Sequence, residues 1–433
     1  MKDHTPHHSW LRGGSMATQG EKRIISTNEV IGWILQSGII LSTALIISGL
    51  LLLPTHSGGF SSQRLLNFPL TLTAIQDGLV HLRPQALIAL GLIVLIATPV
   101  FRVTASIVSF ALEKDRTYVI ITMIVLAILL FSIFYLGGNT PAHMPAGVKN
   151  LHYSLLRVIL IFLGSIAAGL IGALVGLGGG VLIIPMLTLL FGFPISYAIG
   201  ASVISVIATS SGAAIAYLHD HITNMRVGMF LELGTTLGAI TGAFVAGYLS
   251  GNILSVVFGA ILIVSIMPSI FQMGEEHPQN VKNDKLAQWL SLNGSYPDQH
   301  LGKEISYKVT RTPWGLVMMY VAGAVSGLLG IGSGTFKVLA LDTIMRLPIK
   351  VSTTTSNFMI GVTAAASAGI YFSRGDILPL VAAPVALGIL IGARGGARIL
   401  EKMSNKSLRI VFIIVIAISA IEMILRGLGI NGF

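Results

Sequence analysis

The stretch Gly169-Leu-Ile-Gly-Ala-Leu-Val-Gly-Leu-Gly-Gly-Gly180 decides the fold, because a run of glycines interrupts a segment that is otherwise apolar. A similar interruption, Gly323-Ala-Val-Ser-Gly-Leu-Leu-Gly-Ile-Gly-Ser-Gly334, begins 323 − 169 = 154 residues later. At this shift Gly169–Gly247 aligns with Gly323–Glu401 without a gap. The matches fall mainly on small or turn-forming residues, for example Pro194/Pro348, Ser202/Ser356 and Thr209/Thr363. The alignment predicts a duplicated structural unit.

The composition indicates that both copies lie in a lipid bilayer. Hydrophobic residues make up 53% of the chain and charged residues 10%, and several apolar runs reach the roughly 20 residues that a membrane-spanning helix needs. We therefore expect an all-α integral membrane protein. The net charge of +10 is explained by basic cytoplasmic loops, and no basic helix interleaved with aromatic residues predicts nucleic-acid binding. The chain has no cysteine, which excludes disulfides and thiolate chemistry.

The two copies carry their basic loops on opposite flanks. In the second copy the loops around Lys350 and between Arg398 and Arg409 are basic, whereas their equivalents in the first copy, Phe191–Tyr197 and Leu249–Asn252, contain no Lys or Arg. Because basic loops stay in the cytoplasm, the copies should cross the membrane in opposite directions. Inverted repeats with this pattern are typical of secondary transporters.

The apolar and polar segments divide the chain into five parts. Residues 1–29 are polar and His-rich, and we expect a disordered leader or tail there. The other parts are a three-span accessory domain at 30–137, with an external loop at Pro54–Pro84, a first repeat at 155–272, a cytoplasmic linker at 273–313 and a second repeat at 314–429. Loop charges place the N-terminus in the cytoplasm and the C-terminus outside.

Each glycine run should break a helix, because glycine permits a sharp turn and close backbone approach. The loops flanking each broken segment are assigned to one side of the membrane, so the segment should enter and return. A restarted helix exposes free N–H groups that suit a desolvated anion. Lys337, close behind Gly334, adds a full charge where the first copy has Ile183. An ion pair with nearby Asp342 is the alternative, purely structural role for this lysine.

The candidate substrate site combines backbone, hydroxyl, amide and ammonium donors. Its predicted members are Gly176, Gly178, Gly179, Gly180, Ser202, Thr209, Gly330, Gly332, Ser333, Gly334, Lys337, Thr355, Ser356 and Asn357. Helix packing is the competing role for the hydroxyl residues. It is the preferred role for a further set of helical glycines, which comprises Gly238, Gly242, Gly392 and Gly396.

Three charged residues are candidates for coupling or gating: Glu232, Asp342 and Arg394. We expect Glu232 and Arg394 nearer the membrane interface than the substrate, and Arg102 to serve topology and packing. No Ser-His-Asp, zinc-binding or paired-carboxylate arrangement can be assembled. We therefore expect neither catalysis nor a cofactor or metal.

The motif Gly169–Pro185, followed by Phe193-Pro194 and Ala201-Ser202, resembles the signature of the TauE/SafE family of sulfite-exporter-like permeases. Gly330–Gly334 with Thr355–Met359 is similar to the second motif of that family, with Ser333 in place of a glycine. Residues 31–136 resemble a three-span domain of unknown function that is sometimes fused to such permeases. The resemblance implies proton-coupled export of sulfite, or of a related small sulfur-containing anion, across a prokaryotic inner membrane.

The residues alone support a more general statement, an inverted-repeat carrier with a site suited to anions. An anion channel and a membrane sensor or assembly subunit without transport are the alternatives. The expected partners are a small inorganic or organosulfur anion and the lipid bilayer. The identity of the anion, the direction of transport, a coupling proton and assembly into homo-oligomers stay open.

Overall fold

A computed structural model describes most of the chain. Its described residues are 27–55, 72–136, 154–175, 179–219, 222–271, 278, 281–298, 303–400 and 405–430. The described part is almost entirely helical, as expected for an all-α membrane protein. The predicted leader at 1–29 falls almost entirely outside these residues.

The N-terminal part consists of four helices. They are α1 (Thr27–Leu52), α2 (Leu72–Val80), α3 (Pro84–Leu112) and α4 (Arg116–Phe131), the last continued by a π-helical turn at Ser132–Leu136. Helix α3 begins with proline, whose missing N–H costs nothing at a first turn. Helix α4 begins after Asp115, whose carboxylate accepts a hydrogen bond from the Tyr118 amide. Helix α2 lies inside the stretch expected to be an external loop, which therefore contains a short helix that the sequence analysis did not predict.

The two repeats have the same order of elements. The first contains α5 (Leu155–Val175), α6 (Gly180–Pro185), α7 (Ile195–His219), α8 (Met225–Ala246) and α9 (Gly251–Phe271). The second contains α11 (Thr312–Leu329), α12 (Gly334–Leu339), α13 (Ile349–Ser373), α14 (Pro379–Leu400) and α15 (Asn405–Gly427). A π-helical turn follows both short helices, at Met186–Leu190 and Ala340–Ile344.

The linker contains regular structure that the sequence analysis did not predict. It forms α10 (Lys285–Trp289) and an antiparallel hairpin of β1 (Gly294–Asp298) and β2 (Lys303–Tyr307). Asp284 caps α10 through the Ala287 amide and also accepts a 2.6 Å hydrogen bond from the Thr312 amide at the start of α11. The linker therefore fixes the beginning of the second repeat.

Six described helices are long and apolar enough to cross a membrane, judged by length and composition: 84–112, 116–136, 155–172, 195–212, 225–246 and 312–329. Helices α5 and α11, with 21 and 18 residues, belong to this group. The restarted arm Gly180–Leu190 is much shorter, about 16 Å at 1.5 Å per residue. The first broken segment thus pairs a long arm with a short one.

The repeats interlock through glycines. Helix α11 packs on α8, and its equivalent α5 packs on α14. A Cβ added to Gly238 would lie 2.1 Å from the Tyr320 carbonyl oxygen, and one added to Gly392 would lie 2.1 Å from that of Ile166. Since 238 + 154 = 392 and 320 − 154 = 166, the shift of 154 residues relates these two contacts, and they are equivalent. The packing role predicted for Gly238 and Gly392 is confirmed. It is also confirmed for Gly242, where the added Cβ would lie 2.0 Å from the Ala324 carbonyl oxygen. The surroundings of Gly396 lie outside the described part.

Candidate functional site

Both glycine runs interrupt a helix, as predicted. Helix α11 ends at Leu329 and α12 begins at Gly334; between them Gly330, Gly332 and Ser333 have φ values of 66°, 76° and 45°. Left-handed backbone of this kind favours glycine, and Ser333 adopts it despite its side chain. In the first repeat Gly179 has φ 67°. The predicted site residues Gly176 and Gly178 lie outside the described residues.

The two breaks meet at Ser202. Its hydroxyl on α7 lies 3.0 Å from the Gly180 carbonyl oxygen and 2.8 Å from that of Gly330, so it can donate to either repeat. The equivalent hydroxyl of Ser356 donates to Gly334 at 3.3 Å. Predicted members of the site from both copies therefore lie side by side.

Beside the second break lies a buried charged cluster, which consists of Lys337, Thr363, Glu232 and Thr235. All four residues have 0% exposure. The Lys337 Nζ donates to Thr363 Oγ1 at 2.5 Å, and Thr363 Oγ1 lies 3.3 Å from Glu232 Oε2. Thr235 Oγ1 donates to the same carboxylate oxygen at 2.7 Å. The Thr363 hydroxyl can donate either to this carboxylate or to the Met359 carbonyl oxygen at 3.0 Å. It thus lies between the ammonium of the second repeat and a carboxylate of the first.

The structure bears on two of the charged candidates. Glu232, expected near the membrane interface, is fully buried within the protein, where α11 and α13 pack against its helix. The side-chain partner of Lys337 is Thr363 and not Asp342, whose carboxylate accepts instead from Thr343 at 2.9 Å. Lys337 therefore faces the interior of the two repeats, with Glu232 as the neighbouring opposite charge.

The buried polar atoms without a hydrogen-bond partner among the described residues include Glu232 Oε1 and Ser333 Oγ. Buried polar atoms normally form hydrogen bonds with protein, water or a ligand, because leaving one unpaired costs about 1–3 kcal/mol. Glu232 Oε1 belongs to the charged cluster, and Ser333 lies in the break that precedes Lys337. The arrangement therefore offers one acceptor and one hydroxyl to a bound species.

The charged cluster has an apolar counterpart elsewhere in the fold. The shift of 154 residues relates its four members to equivalents in the opposite copy, all of them buried: Ile183, Thr209, Ala386 and Ile389. Only the threonine is kept, and there its hydroxyl bonds to the Ser205 carbonyl of its own helix at 2.9 Å. The fold thus contains two repeat-related buried clusters, and only the one with Lys337 and Glu232 carries charged residues.

The remaining predicted residues are spread around the breaks. The Thr355 hydroxyl accepts a hydrogen bond from the backbone N–H of Asn224 at 3.1 Å, near the linker. Asn357 is buried, and its backbone carbonyl accepts a hydrogen bond from the Ser210 hydroxyl at 2.9 Å. Arg394 is exposed on α14 and is not among the residues that the cluster brings together.

Sequence reasoning missed the two threonines of the charged cluster. The signal for Thr363 was present, since it aligns with Thr209, a predicted site residue. Thr235 stands one helical turn after Glu232, a spacing that places both on one face. Neither signal has meaning until the helices that face each other are known.

Comparison with known proteins agrees with this architecture. Residues 160–423 match the family model described as sulfite exporter TauE/SafE, and residues 31–134 match one described as a protein of unknown function (DUF1634). No solved structure matches the chain.

Curated relatives carry transporter names. The probable membrane transporter protein YunE of Bacillus subtilis is 28% identical over 278 residues, which cover 63% of this chain and 98% of the relative. The probable membrane transporter protein YdhB of the same organism is 26% identical over 259 residues, covering 59% and 94%. With its family model matching more than half of its length, the chain belongs to the sulfite exporter TauE/SafE family of membrane proteins.

Proposed function

We propose that the protein is a secondary transporter that exports a small anion, sulfite or a related sulfur-containing anion, across the inner membrane of a prokaryote. The observation that carries the proposal is the buried Lys337–Thr363–Glu232 connection beside the second helix break. Ionisable groups inside a membrane protein are costly and usually mark a transport pathway. The family description and the names of the relatives support transport as the activity.

Lys337 supplies the charge that would attract the anion. An isolated ammonium in a low-dielectric interior is strongly unfavourable, so something must compensate it at every stage. When no anion is bound, Glu232 would do so through the Thr363 hydroxyl. An anion bound beside Lys337 would replace that compensation, with the Ser333 hydroxyl as a further donor.

The same geometry supports coupling to a proton. Glu232 and the anion compensate the same ammonium, so the anion binds best when Glu232 is protonated. The site then holds a proton and one negative charge more than before, and its total charge is unchanged. Glu232 Oε1, with no partner among the described residues, is available to accept the proton. Each monovalent anion would therefore move in the same direction as one proton, so that export would be driven by the outward gradient of the anion itself and not by an inward proton gradient.

The repeats supply two states for such a carrier. Their basic loops lie on opposite flanks, which supports opposite orientations in the membrane, a cytoplasmic N-terminus and an external C-terminus. Because their glycine contacts are equivalent, the two repeats could exchange their packing arrangements, which would expose the site to each side of the membrane in turn.

Proteoliposomes test the proposal. Purified protein is assayed for efflux and counterflow of sulfite, sulfate, thiosulfate and organosulfonates, together with Lys337→Met and the matched control Arg394→Met, which removes an exposed cation. We expect saturable counterflow of one class, lost in Lys337→Met and kept in Arg394→Met. Flux without counterflow would indicate a channel, and ligand binding without any flux would indicate a sensor. Equal transport by both variants would remove Lys337 from the site.

A further inference from the structure

We propose that the N-terminal domain, α1–α4, supplies a positioning residue to the permease: Arg102 holds α7 of the first repeat and α13 of the second repeat together, beside the helix breaks. Nothing in the family description of this domain assigns it a role. The inference rests on the proposed function, because transport is its readout.

Arg102 contacts both repeats at once. It lies on α3 and is fully buried. Its Nη1 donates to the Phe358 carbonyl on α13 at 2.6 Å, and its Nη2 donates to the Ser210 carbonyl on α7 at 3.3 Å. The guanidinium also lies 5.1 Å from the centre of the Phe358 ring. One side chain of the N-terminal domain thus joins helices that belong to different copies.

Neutral contacts surround this one. The Thr98 hydroxyl, about one turn earlier on α3, lies 3.1 Å from the Ser211 hydroxyl on α7. The Ser132 hydroxyl donates to the Ala366 carbonyl on α13 at 2.5 Å. The N-terminal domain is therefore docked against both repeats, and Arg102 is its fully buried charged contact. Arg226 of α8 adds partly exposed ion pairs with Asp115 at 3.0 Å and Glu113 at 3.7 Å.

Removing the guanidinium should loosen the contact between the repeats. Without its two hydrogen bonds, α7 and α13 lose a partner that they share. Because these bonds go to carbonyl oxygens outside the charged cluster, the affinity for the anion should change much less than the transport rate. Lysine keeps the charge but cannot reach two carbonyls in the fixed planar geometry of arginine.

The experiment compares Arg102→Gln, Arg102→Lys and the control Thr98→Val in the full-length protein, with thiosulfate as probe. The affinity for thiosulfate and the transport rate are measured for each folded variant. Arg102→Gln and Arg102→Lys should both reduce the transport rate at least about fivefold and leave the affinity within about twofold of the wild-type value. An equal loss of affinity and rate would mean that Arg102 acts on the anion site itself, which would contradict a positioning role. Thr98→Val should change neither quantity.

The inference is overturned if Arg102→Gln transports thiosulfate at the same rate as Thr98→Val. If the glutamine variant does not fold, the transport rate of Arg102→Lys decides in its place. A parallel measurement on Lys337→Met separates this failure from failure of the proposed function. If Lys337→Met also binds and transports thiosulfate normally, the site itself is wrong. If it loses both while the Arg102 variants match the control, only the role of the N-terminal domain is wrong.

Discussion

The Ser202 hydroxyl lies 2.8 Å from the carbonyl oxygen of Gly330, so a side chain of the first repeat reaches the helix break of the second. Its equivalent Ser356 bonds to Gly334 within its own copy. The two serines occupy matched positions and yet only Ser202 is found between two breaks. This relationship places the meeting point of the repeats at the glycine runs.

Replacing Ser202 by alanine should therefore destabilise the protein more than replacing Ser356. The first change removes a buried donor that is in reach of two carbonyls, at a cost of about 1 kcal/mol, and the second removes a longer bond to a single carbonyl. Thermal unfolding in detergent measures the difference. Equal losses would show that the contact between the breaks contributes nothing.

The glycines that join the repeats should not tolerate even a methyl group. Gly238→Ala and Gly392→Ala would each place Cβ 2.1 Å from a backbone oxygen, which requires two helices to separate and should cost about 1–3 kcal/mol or more. Gly395→Ala on α14 is the control, since nothing described lies within 4 Å of its added Cβ. The yield of monodisperse protein should fall for the first two variants and stay constant for the third.

The break at Gly332 should limit transport through shape. A side chain there meets Val206 at 2.9 Å and Ile360 at 3.0 Å, at φ 76°, with no change of charge. Gly192→Ala is matched in backbone, because Gly192 has φ 68° and open space around its added Cβ. We expect Gly332→Leu to reduce the transport rate at least about tenfold, far more than Gly192→Ala. If both variants lost transport to the same degree, backbone strain at positive φ would explain the loss, and the shape of the break would not.

The orientation of the repeats can be tested by labelling. Ser196 and Lys350 occupy equivalent positions, since 196 + 154 = 350, and the native chain has no cysteine. Single Ser196→Cys and Lys350→Cys variants should react with an impermeant thiol reagent from opposite sides, Ser196→Cys from outside and Lys350→Cys from the cytoplasm. Labelling from the same side would reject the inverted arrangement.

The sequence predicted those features that residue type and repetition determine locally. Glycines that permit φ values near 70° marked both breaks, and Lys337 stood out as a charge without an equivalent in the first copy. The linker hairpin was missed because its strands are only five residues long and β1 contains a proline, so the alternation of Ile305 and Tyr307 with Glu304 and Ser306 in β2 was too short a pattern to predict a strand.

The burial of Glu232 and the reach of Arg102 could not be predicted in the same way. Glu232 stands near a helix end, and only the packing of α11 and α13 against that end removes it from solvent. Arg102 belongs to another domain, and its partners are backbone carbonyls at Ser210 and Phe358, which carry no side-chain signal. Both depend on contacts between segments far apart in the chain.

Binding of thiosulfate as a function of pH, by wild-type protein and Glu232→Gln, tests the central claim most directly. At low pH the protonated carboxyl leaves Lys337 uncompensated and the anion binds tightly; as pH rises, ionised Glu232 competes for the ammonium and affinity falls. Glutamine cannot ionise, so Glu232→Gln should bind tightly at every pH. The predicted result is an affinity for thiosulfate that falls as pH rises in the wild-type protein and stays high at every pH in Glu232→Gln. The same pH dependence in both proteins would contradict the account.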